Sequence, residues 1–84
     1  MRREKSYRGI SKRLAVHYLE NLGGTQEDED TVTGDGWTAT CSAAKVSIGA
    51  TMKLTEVTIV FEGEETTLDS LIEQFSKKAM RAGG

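Results

Sequence analysis

Two glycines close the sequence, in the stretch Arg81-Ala82-Gly83-Gly84, and they are the first candidates for chemistry. The carboxylate of a Gly-Gly end is the group that ubiquitin-like sulfur carriers and protein modifiers present to an adenylating enzyme. Such a tail usually leaves a final strand as a flexible arm, but here the glycines follow a helical pattern directly. Because glycine is also a common helix stop, we interpret the pair as a stop. A carrier tail formed by Gly83 and Gly84 is the alternative.

The single cysteine and the single histidine are the next candidates. Cys41 alternates with Trp37 and Ala39 on one face of a predicted strand, where a thiol acts as a small apolar group. His17 lies on or beside the polar face of a predicted helix, without an acidic, cysteine or second histidine partner at the i, i+4 spacing of a metal site. We therefore expect no catalytic residue, no metal, no cofactor and no enzymatic activity.

Positive charge is concentrated at the beginning of the chain, where Glu4 is the one acidic residue, and an acidic run follows at Glu27–Asp30. A basic edge and a solvated acidic loop that aid solubility are the preferred interpretation. A patch that binds a polyanion is the alternative, although nucleic acid is not expected because Tyr7 is the one aromatic residue nearby for base stacking. The candidate patch consists of Arg2, Arg3, Lys5, Arg8, Lys12 and Arg13.

Length and composition predict one small domain that spans residues 1–84. A single cysteine cannot form an internal disulfide, which fits a reducing compartment. The basic beginning is not followed by the apolar segment of a secretory signal, and no apolar run approaches the ~20 residues of a membrane-spanning helix. We expect a soluble, cytoplasmic protein without a membrane partner.

A first helix is predicted after Ser11, whose side chain can accept a hydrogen bond from the first helical turn. Gly23 and Gly24 end the pattern, and a short edge strand with Tyr7 and Ile10 as apolar anchors precedes it. The apolar face of this helix is predicted to contain Leu14, Ala15, Tyr18, Leu19 and Leu22.

The middle of the chain changes to the period of two that is typical of half-buried antiparallel strands. The sequence Gly34-Asp35-Gly36 predicts a hairpin turn. One predicted strand face contains Trp37, Ala39, Cys41 and Ala43, and another contains Val57, Ile59 and Phe61. Leu54 is out of phase with the second set, so we predict a β-bulge near Thr55 or Glu56.

A second helix is predicted to begin with Thr66 or Thr67 as its N-cap. Its apolar stripe comprises Leu68, Leu71, Ile72, Phe75 and Ala79. The order is therefore strand, helix, three or four strands, helix. An antiparallel sheet with both helices on one face buries every stripe, which predicts a two-layer α+β domain. The residues expected to be buried are Leu19, Trp37, Ile59, Leu71 and Phe75.

The sequence resembles one known family in the stretches YRGISKRLAVHYLENLGG, GDGW, LTEV, FEG and RAGG. These stretches are similar to the C-terminal domain of MoaD-related proteins, which are named for the sulfur carrier of molybdopterin synthase. The resemblance covers nearly the whole chain, and it implies a TBP-like fold of order β-α-β4-α. It also implies an uncharacterised function with an inferred link to molybdenum-cofactor assembly or sulfur transfer. The β-grasp carrier domain of the two-domain pattern is not expected here, and no catalytic residue is carried over.

These observations predict a non-enzymatic accessory or interaction domain with a protein partner, linked to a sulfur-carrier or cofactor-assembly pathway. Two alternatives belong to other classes: a Gly-Gly modifier or carrier that uses Gly84, and a polyanion-binding module. Helices on one face leave the other face of the sheet uncovered, where Val60 and Leu54 are expected to project. Because the core is small, we also expect two copies to associate through that face or a sheet edge as a homodimer.

Overall fold

The computed structural model describes residues 1–83. Its elements follow the order β-α-β4-α that the resemblance implies. They are β1 (Arg2–Arg8), α1 (Lys12–Asn21), β2 (Thr25–Gln26), β3 (Thr31–Gly34), β4 (Trp37–Ile48), β5 (Met52–Gly63) and α2 (Glu65–Gly83).

The strands form one antiparallel sheet in the order β1-β5-β4-β3-β2, so the predicted edge position of β1 is confirmed. Helix α1 packs over β4, β3 and β2, and α2 packs over β5 and β1. The helices also contact each other, and their buried residues join a single core with those of the sheet. The predicted two-layer α+β architecture, with both helices on one face, is therefore confirmed.

Both ends of α1 are closed as the sequence predicts. The Ser11 hydroxyl accepts a hydrogen bond from the Leu14 backbone N–H at 3.0 Å, which satisfies one donor of the first turn. At the other end Gly23 has a φ of 102°, a conformation that glycine adopts without a Cβ clash. Val16 is buried although the predicted stripe leaves it out, because α1 packs against both the sheet and α2.

The turn from β3 to β4 shows why Gly34-Asp35-Gly36 precedes the tryptophan. Asp35 and Gly36 form the loop, since Gly34 pairs directly with Trp37. A Cβ at Gly34 would lie 2.1 Å from Cε2 of Trp37, so only glycine lets the indole pack against the strand. The predicted hairpin is confirmed, and Trp37 is buried at the end of the sheet.

The predicted bulge in β5 is wrong. Pairing between β4 and β5 continues without interruption from Trp37 opposite Gly63 to Ile48 opposite Met52. Leu54 is out of phase with Val57 because its side chain lies on the face of the sheet that the helices leave uncovered. We call this the open face; Leu54 and Val60 both lie on it, as predicted.

Helix α2 begins earlier than the sequence predicts. The predicted N-cap at Thr66 or Thr67 is wrong, because the helix starts at Glu65 and the Leu68 N–H donates to the Glu64 carbonyl at 2.8 Å. The two threonines lie inside the first turn. Negative charge at the start of α2 still matches the positive end of the helix dipole.

Phe75 lies at the centre of the core and is 0% exposed. Its ring centroid is 4.9 Å from that of Tyr7 in β1, 6.0 Å from that of Tyr18 in α1 and 6.2 Å from that of Phe61 in β5. The Tyr7 hydroxyl also hydrogen-bonds to Ser76 at 3.0 Å. One side chain of α2 therefore contacts the edge strand, the other helix and the middle of the sheet. All five residues expected to be buried are buried.

Replacing Phe75 by alanine is expected to lower the free energy of unfolding by about 3–5 kcal/mol, because the contacts with three rings are lost and a cavity remains. Urea denaturation followed by circular dichroism measures the change. Met80, on the same helix but 74% exposed, supplies the control, since Met80→Ala is expected to change stability by less than about 0.5 kcal/mol. Equal losses in the two variants would contradict this account of the core.

Candidate functional site

A two-stranded ribbon, residues 45–55, extends beyond the rest of the fold. Strand β1 pairs with β5 as far as Glu56, and β3 pairs with β4 as far as Thr40. The pairs from Lys45–Thr55 to Ile48–Met52 therefore have no third strand beside them. At ~3.3 Å per residue the twelve residues of β4 span ~40 Å, which accounts for the 42 Å length of a molecule only 23 and 21 Å across. We call residues 45–55 the ribbon.

The outer edge of β4 presents unpaired backbone groups to solvent. The Cys41 N–H donates to the Asp30 carbonyl at 2.7 Å, on the side of β3. Because successive residues of a strand direct their N–H and C=O groups to alternate sides, Ala43, Lys45 and Ser47 direct theirs to the same side. Beyond Cys41, no backbone group of residues 1–83 pairs with that side. This edge can accept another strand.

The two faces of the ribbon differ in chemistry. Apolar side chains lie on its open face, where Val46 pairs with Leu54 and Ile48 pairs with Met52. Ile48 is 37% exposed and Met52 is 61% exposed, so nothing within residues 1–83 covers this end of the face. The other face contains Lys45 and Lys53, both exposed.

Charges of both signs lie at the ribbon end of the molecule, where the acidic run Glu27–Asp30 adjoins β4 through the bond from the Cys41 N–H to the Asp30 carbonyl. Arg3 near the start of β1 pairs with Asp69 of α2 at 2.9 Å, and Tyr7 near the end of β1 bonds to Ser76. Helix α2 therefore runs in the direction of β1, and its last turns lie at the ribbon end. The Gly9 N–H donates to the Thr55 carbonyl at 3.2 Å just before α1 begins, which places the start of α1 there as well. The cations at this end without an ion pair to another residue of 1–83 are Arg13, Lys45, Lys53, Lys78 and Arg81.

The six cations of the candidate polyanion patch lie in several places. Strand alternation directs Arg2 and Arg8 to the open face, beside Glu62 at 3.9 Å and Glu56 at 2.9 Å respectively. Arg3 and Lys5 lie on the helix side of β1, and Arg3 contacts the two acids at the start of α2. The two residues of the patch in α1, Lys12 and Arg13, lie at the ribbon end. The structure thus separates these residues and places acids beside four of them, while the expectation about nucleic acid stays a prediction.

The acidic loop before β3 has a defined hydrogen-bond pattern. Asp28 accepts bonds from the backbone N–H groups of Asp30 at 2.8 Å and Thr31 at 2.9 Å, which lower the pKa of its carboxyl group. The ammonium of Lys12 donates to the carboxylate of Asp30, and this bond raises the pKa of Lys12. The loop therefore joins the start of α1 to the beginning of β3.

Cys41 and His17 lie in contrasting surroundings. Cys41 is 1% exposed in the core, and burial raises the pKa of its thiol to about 11, so the thiol stays protonated at neutral pH. His17 is exposed and lines a groove of about 480 Å³ with charged residues of both signs, among them Lys12 and Glu29. Among residues 1–83, no cluster of three or more histidine, cysteine or acidic residues has the arrangement of a metal site.

The candidate carrier tail is described only in part. Helix α2 continues through Gly83, and Gly84 lies outside the described residues. Ala79 is 6% exposed, whereas Met80 and Arg81 after it are exposed. An extended carrier tail would require the helical residues before Gly84 to unwind.

The family comparison agrees with the sequence resemblance. The model of the family described as archaeal MoaD-like protein matches residues 3–84. The chain belongs to this family. No curated protein gives a significant match to the chain. Within residues 1–83, neither helix has the combination of length and apolar character that crossing a membrane requires.

The ribbon edge is the feature that sequence analysis missed. The signal was present, because apolar residues change phase along β4: Trp37 and Cys41 face the helices, whereas Val46 and Ile48 lie on the open face. A change of phase without a bulge marks the point where the helices no longer cover the sheet. Association of two copies stays a prediction.

Burial of Cys41 makes stability depend on pH in the alkaline range. The folded protein binds the thiol proton more tightly than the unfolded chain, since its pKa rises from 9.0 to about 11. The protonated Cys41 thiol therefore contributes to the free energy of unfolding. This contribution is fully present below pH ~9 and is lost as the pH rises towards ~11, with a slope of at most about 1.4 kcal/mol per pH unit.

Urea denaturation at several pH values checks this expectation against Cys41→Ala, which lacks the thiol. The pKa of Tyr7 is also raised by burial, but its effect is common to both proteins. The difference in stability between the two is expected to shrink as the pH rises. A difference that is constant with pH would contradict a buried, protonated Cys41.

Proposed function

We propose that this chain is a non-enzymatic interaction domain that binds a protein of a sulfur-carrier or molybdenum-cofactor pathway. The observation that carries the binding role is the ribbon, which extends outside the core with strand edges that no third strand covers and two chemically distinct faces. Membership in the archaeal MoaD-like family supports the link to sulfur-carrier chemistry. The domain then acts by holding a partner in place rather than by transforming a substrate.

The environment of Cys41 supports a role without catalysis by this chain. Sulfur-transfer enzymes use a cysteine thiolate as nucleophile, which requires access and a lowered pKa. Cys41 has neither, because it is buried and its pKa is raised. In contrast, an exposed strand edge is a common means of protein recognition, since backbone hydrogen bonds supply affinity and alternate side chains supply specificity.

The test is direct binding to purified proteins of the source organism: its adenylating enzyme, its sulfur carriers and its molybdopterin-synthase subunits. Isothermal titration calorimetry is expected to detect at least one complex with a Kd of about 10 µM or lower, a free energy near −7 kcal/mol. The thermally unfolded and quenched chain serves as the control. This function would be ruled out if the chain binds none of these proteins, or if the chain alone turns over a sulfur substrate.

A second candidate function has one observation in its favour. The family match continues to Gly84 and so includes both terminal glycines. In a carrier, the glycine carboxylate attacks the α-phosphate of ATP and releases pyrophosphate, and hydrosulfide then displaces AMP from the adenylate to give a thiocarboxylate. The helical conformation through Gly83 opposes this use, because the final turn of α2 has to unwind first.

Deleting Gly83 and Gly84 separates the two functions. For an interaction domain, the shortened chain is expected to keep its fold and its partner affinity, because an exposed helix end can be solvated. The full chain, incubated with the adenylating enzyme, ATP and a sulfur donor, is expected to yield no adenylate or thiocarboxylate by mass spectrometry. A known sulfur carrier of the same organism is the positive control. A thiocarboxylate on Gly84 would establish the carrier function instead.

A further inference from the structure

The end of the ribbon is uncharged although it projects into solvent. We call Val46–Met52 the tip; it contains no charged residue, whereas 29% of the whole chain is charged. Ile48 and Met52 pair across the turn on the open face and are 37% and 61% exposed. A surface that serves solubility alone carries mixed charge, so an apolar tip on a protruding ribbon indicates contact with an apolar environment.

Two lysines mark the inner limit of the tip. Lys45 precedes it and Lys53 follows it, and both are exposed on the face of the ribbon opposite to Ile48 and Met52. Neither lysine has an ion pair with another residue of 1–83. The ammonium of Lys45 donates to the Thr55 hydroxyl at 2.8 Å, and a neutral hydroxyl leaves its charge uncompensated.

The acids at this end of the molecule lie too far away to neutralise the tip. The acidic run adjoins β4 at Cys41, seven residues before Ile48 and thus ~23 Å along the strand. Glu56 lies four residues after Met52, ~13 Å along β5, and is already paired with Arg8 at 2.9 Å. Salt screens exposed charges beyond about 8–10 Å, so the lysines determine the potential at the tip.

The order of these groups along the ribbon matches the layers of a lipid bilayer. A bilayer presents negatively charged lipid phosphates above an apolar interior, and the ribbon presents cations behind an apolar end. Lys53 lies ~7 Å and Lys45 ~13 Å behind the turn, and a long lysine side chain can extend back to the phosphate level. Apolar groups of proteins that attach to the interface are buried by roughly 5–10 Å, a similar depth.

We propose that the tip binds an anionic lipid surface. Ile48 and Met52 enter the headgroup region, and the ammonium groups of Lys45 and Lys53 contact lipid phosphates. The depth is limited to the tip, because the outer edges of the ribbon carry unpaired backbone groups that the hydrocarbon interior cannot satisfy. A second copy is a poorer occupant, since contact between two tips would bring four lysines together and like charges repel.

This inference goes beyond the proposed interaction role. The expectation of no membrane partner was based on the absence of an apolar run of spanning length. Attachment at the interface does not need such a run, because a few apolar side chains and an attraction to anionic lipid act together.

The first test is sedimentation of the whole chain with lipid vesicles. Vesicles of equal parts phosphatidylglycerol and phosphatidylcholine are expected to bind the chain about tenfold or more tightly than vesicles of phosphatidylcholine alone, and raised salt is expected to weaken binding. Absence of binding to the anionic vesicles, or equal binding to both kinds, would overturn the proposal.

Variants locate the contact on the molecule. Met52→Gln is expected to weaken binding to the anionic vesicles by about tenfold, because an apolar side chain is lost from the tip. Met80→Gln is the matched control, since Met80 is 74% exposed but lies on α2, and it is expected to bind normally. The double variant K45Q/K53Q is expected to lose about tenfold or more. Equal effects of Met52→Gln and Met80→Gln would refute the tip as the site.

Fluorescence tests whether the tip enters the lipid. The one tryptophan, Trp37, is buried at the opposite end of the β4–β5 hairpin, so its emission is expected to stay constant when vesicles are added. In Met52→Trp, the second indole is expected to shift its emission to shorter wavelength with anionic vesicles. Binding of this variant without a shift would contradict insertion.

The outcomes distinguish this inference from the proposed function. Vesicle binding without binding to any pathway protein would support the lipid site and reject the proposed function. A pathway protein that binds the chain and is weakened by Met52→Gln, together with no vesicle binding, would keep the proposed function and assign the tip to a protein instead. A dimer in sedimentation equilibrium that Met52→Gln abolishes would identify a second copy as the occupant and overturn the lipid site.

Discussion

The continuous pairing of β4 with β5 is the constraint on which the rest of the structure depends. Twelve residues on each strand pair from Trp37–Gly63 to Ile48–Met52 without a bulge, so the face of every side chain is determined along the whole hairpin. Near Trp37 one face is covered by helices and forms the core. Beyond Val57 the same hairpin has no cover, and its faces and its β4 edge are open to solvent. The core and the ribbon are therefore built from one hairpin with a single, uninterrupted strand register.

Packing around Phe75 sets the boundary between these parts. Its ring joins α2 to Tyr7, Tyr18 and Phe61, and Val57 is the last fully buried residue of β5 in the direction of the ribbon. Ala43 shows the boundary on the other strand, because it faces the helix layer and is nevertheless exposed, opposite the buried Val57. Two helices do not cover the full length of a twelve-residue hairpin. The part of the hairpin beyond the core is therefore exposed.

Periodicity alone predicted the helices, the alternating strand faces and the two-layer arrangement, because each depends on local spacing and on the need to bury one stripe. The positions of Ser11 and Gly23 were predictable for the same reason: caps act within one turn. The bulge predicted near Leu54 was wrong, although Leu54 was rightly expected on the uncovered face, since a change of apolar phase has two explanations, a bulge or an uncovered ribbon. Only the lengths of the neighbouring strands distinguish them, and those depend on tertiary pairing. The beginning of α2 at Glu65 was missed because threonine and glutamate are both favoured near the start of a helix, so the sequence does not distinguish Glu64, Thr66 and Thr67.

The direction of α2 brings the two candidate functions to the same end of the molecule. Its contacts with Arg3 and Tyr7 place its last turns, with Lys78 and Arg81, at the ribbon end. The β4 edge of the ribbon lies at the same end of the molecule but across β5 from α2, which packs over β5 and β1. The ribbon edge and the end of α2 are therefore separate surfaces, and a variant of one need not disturb the other.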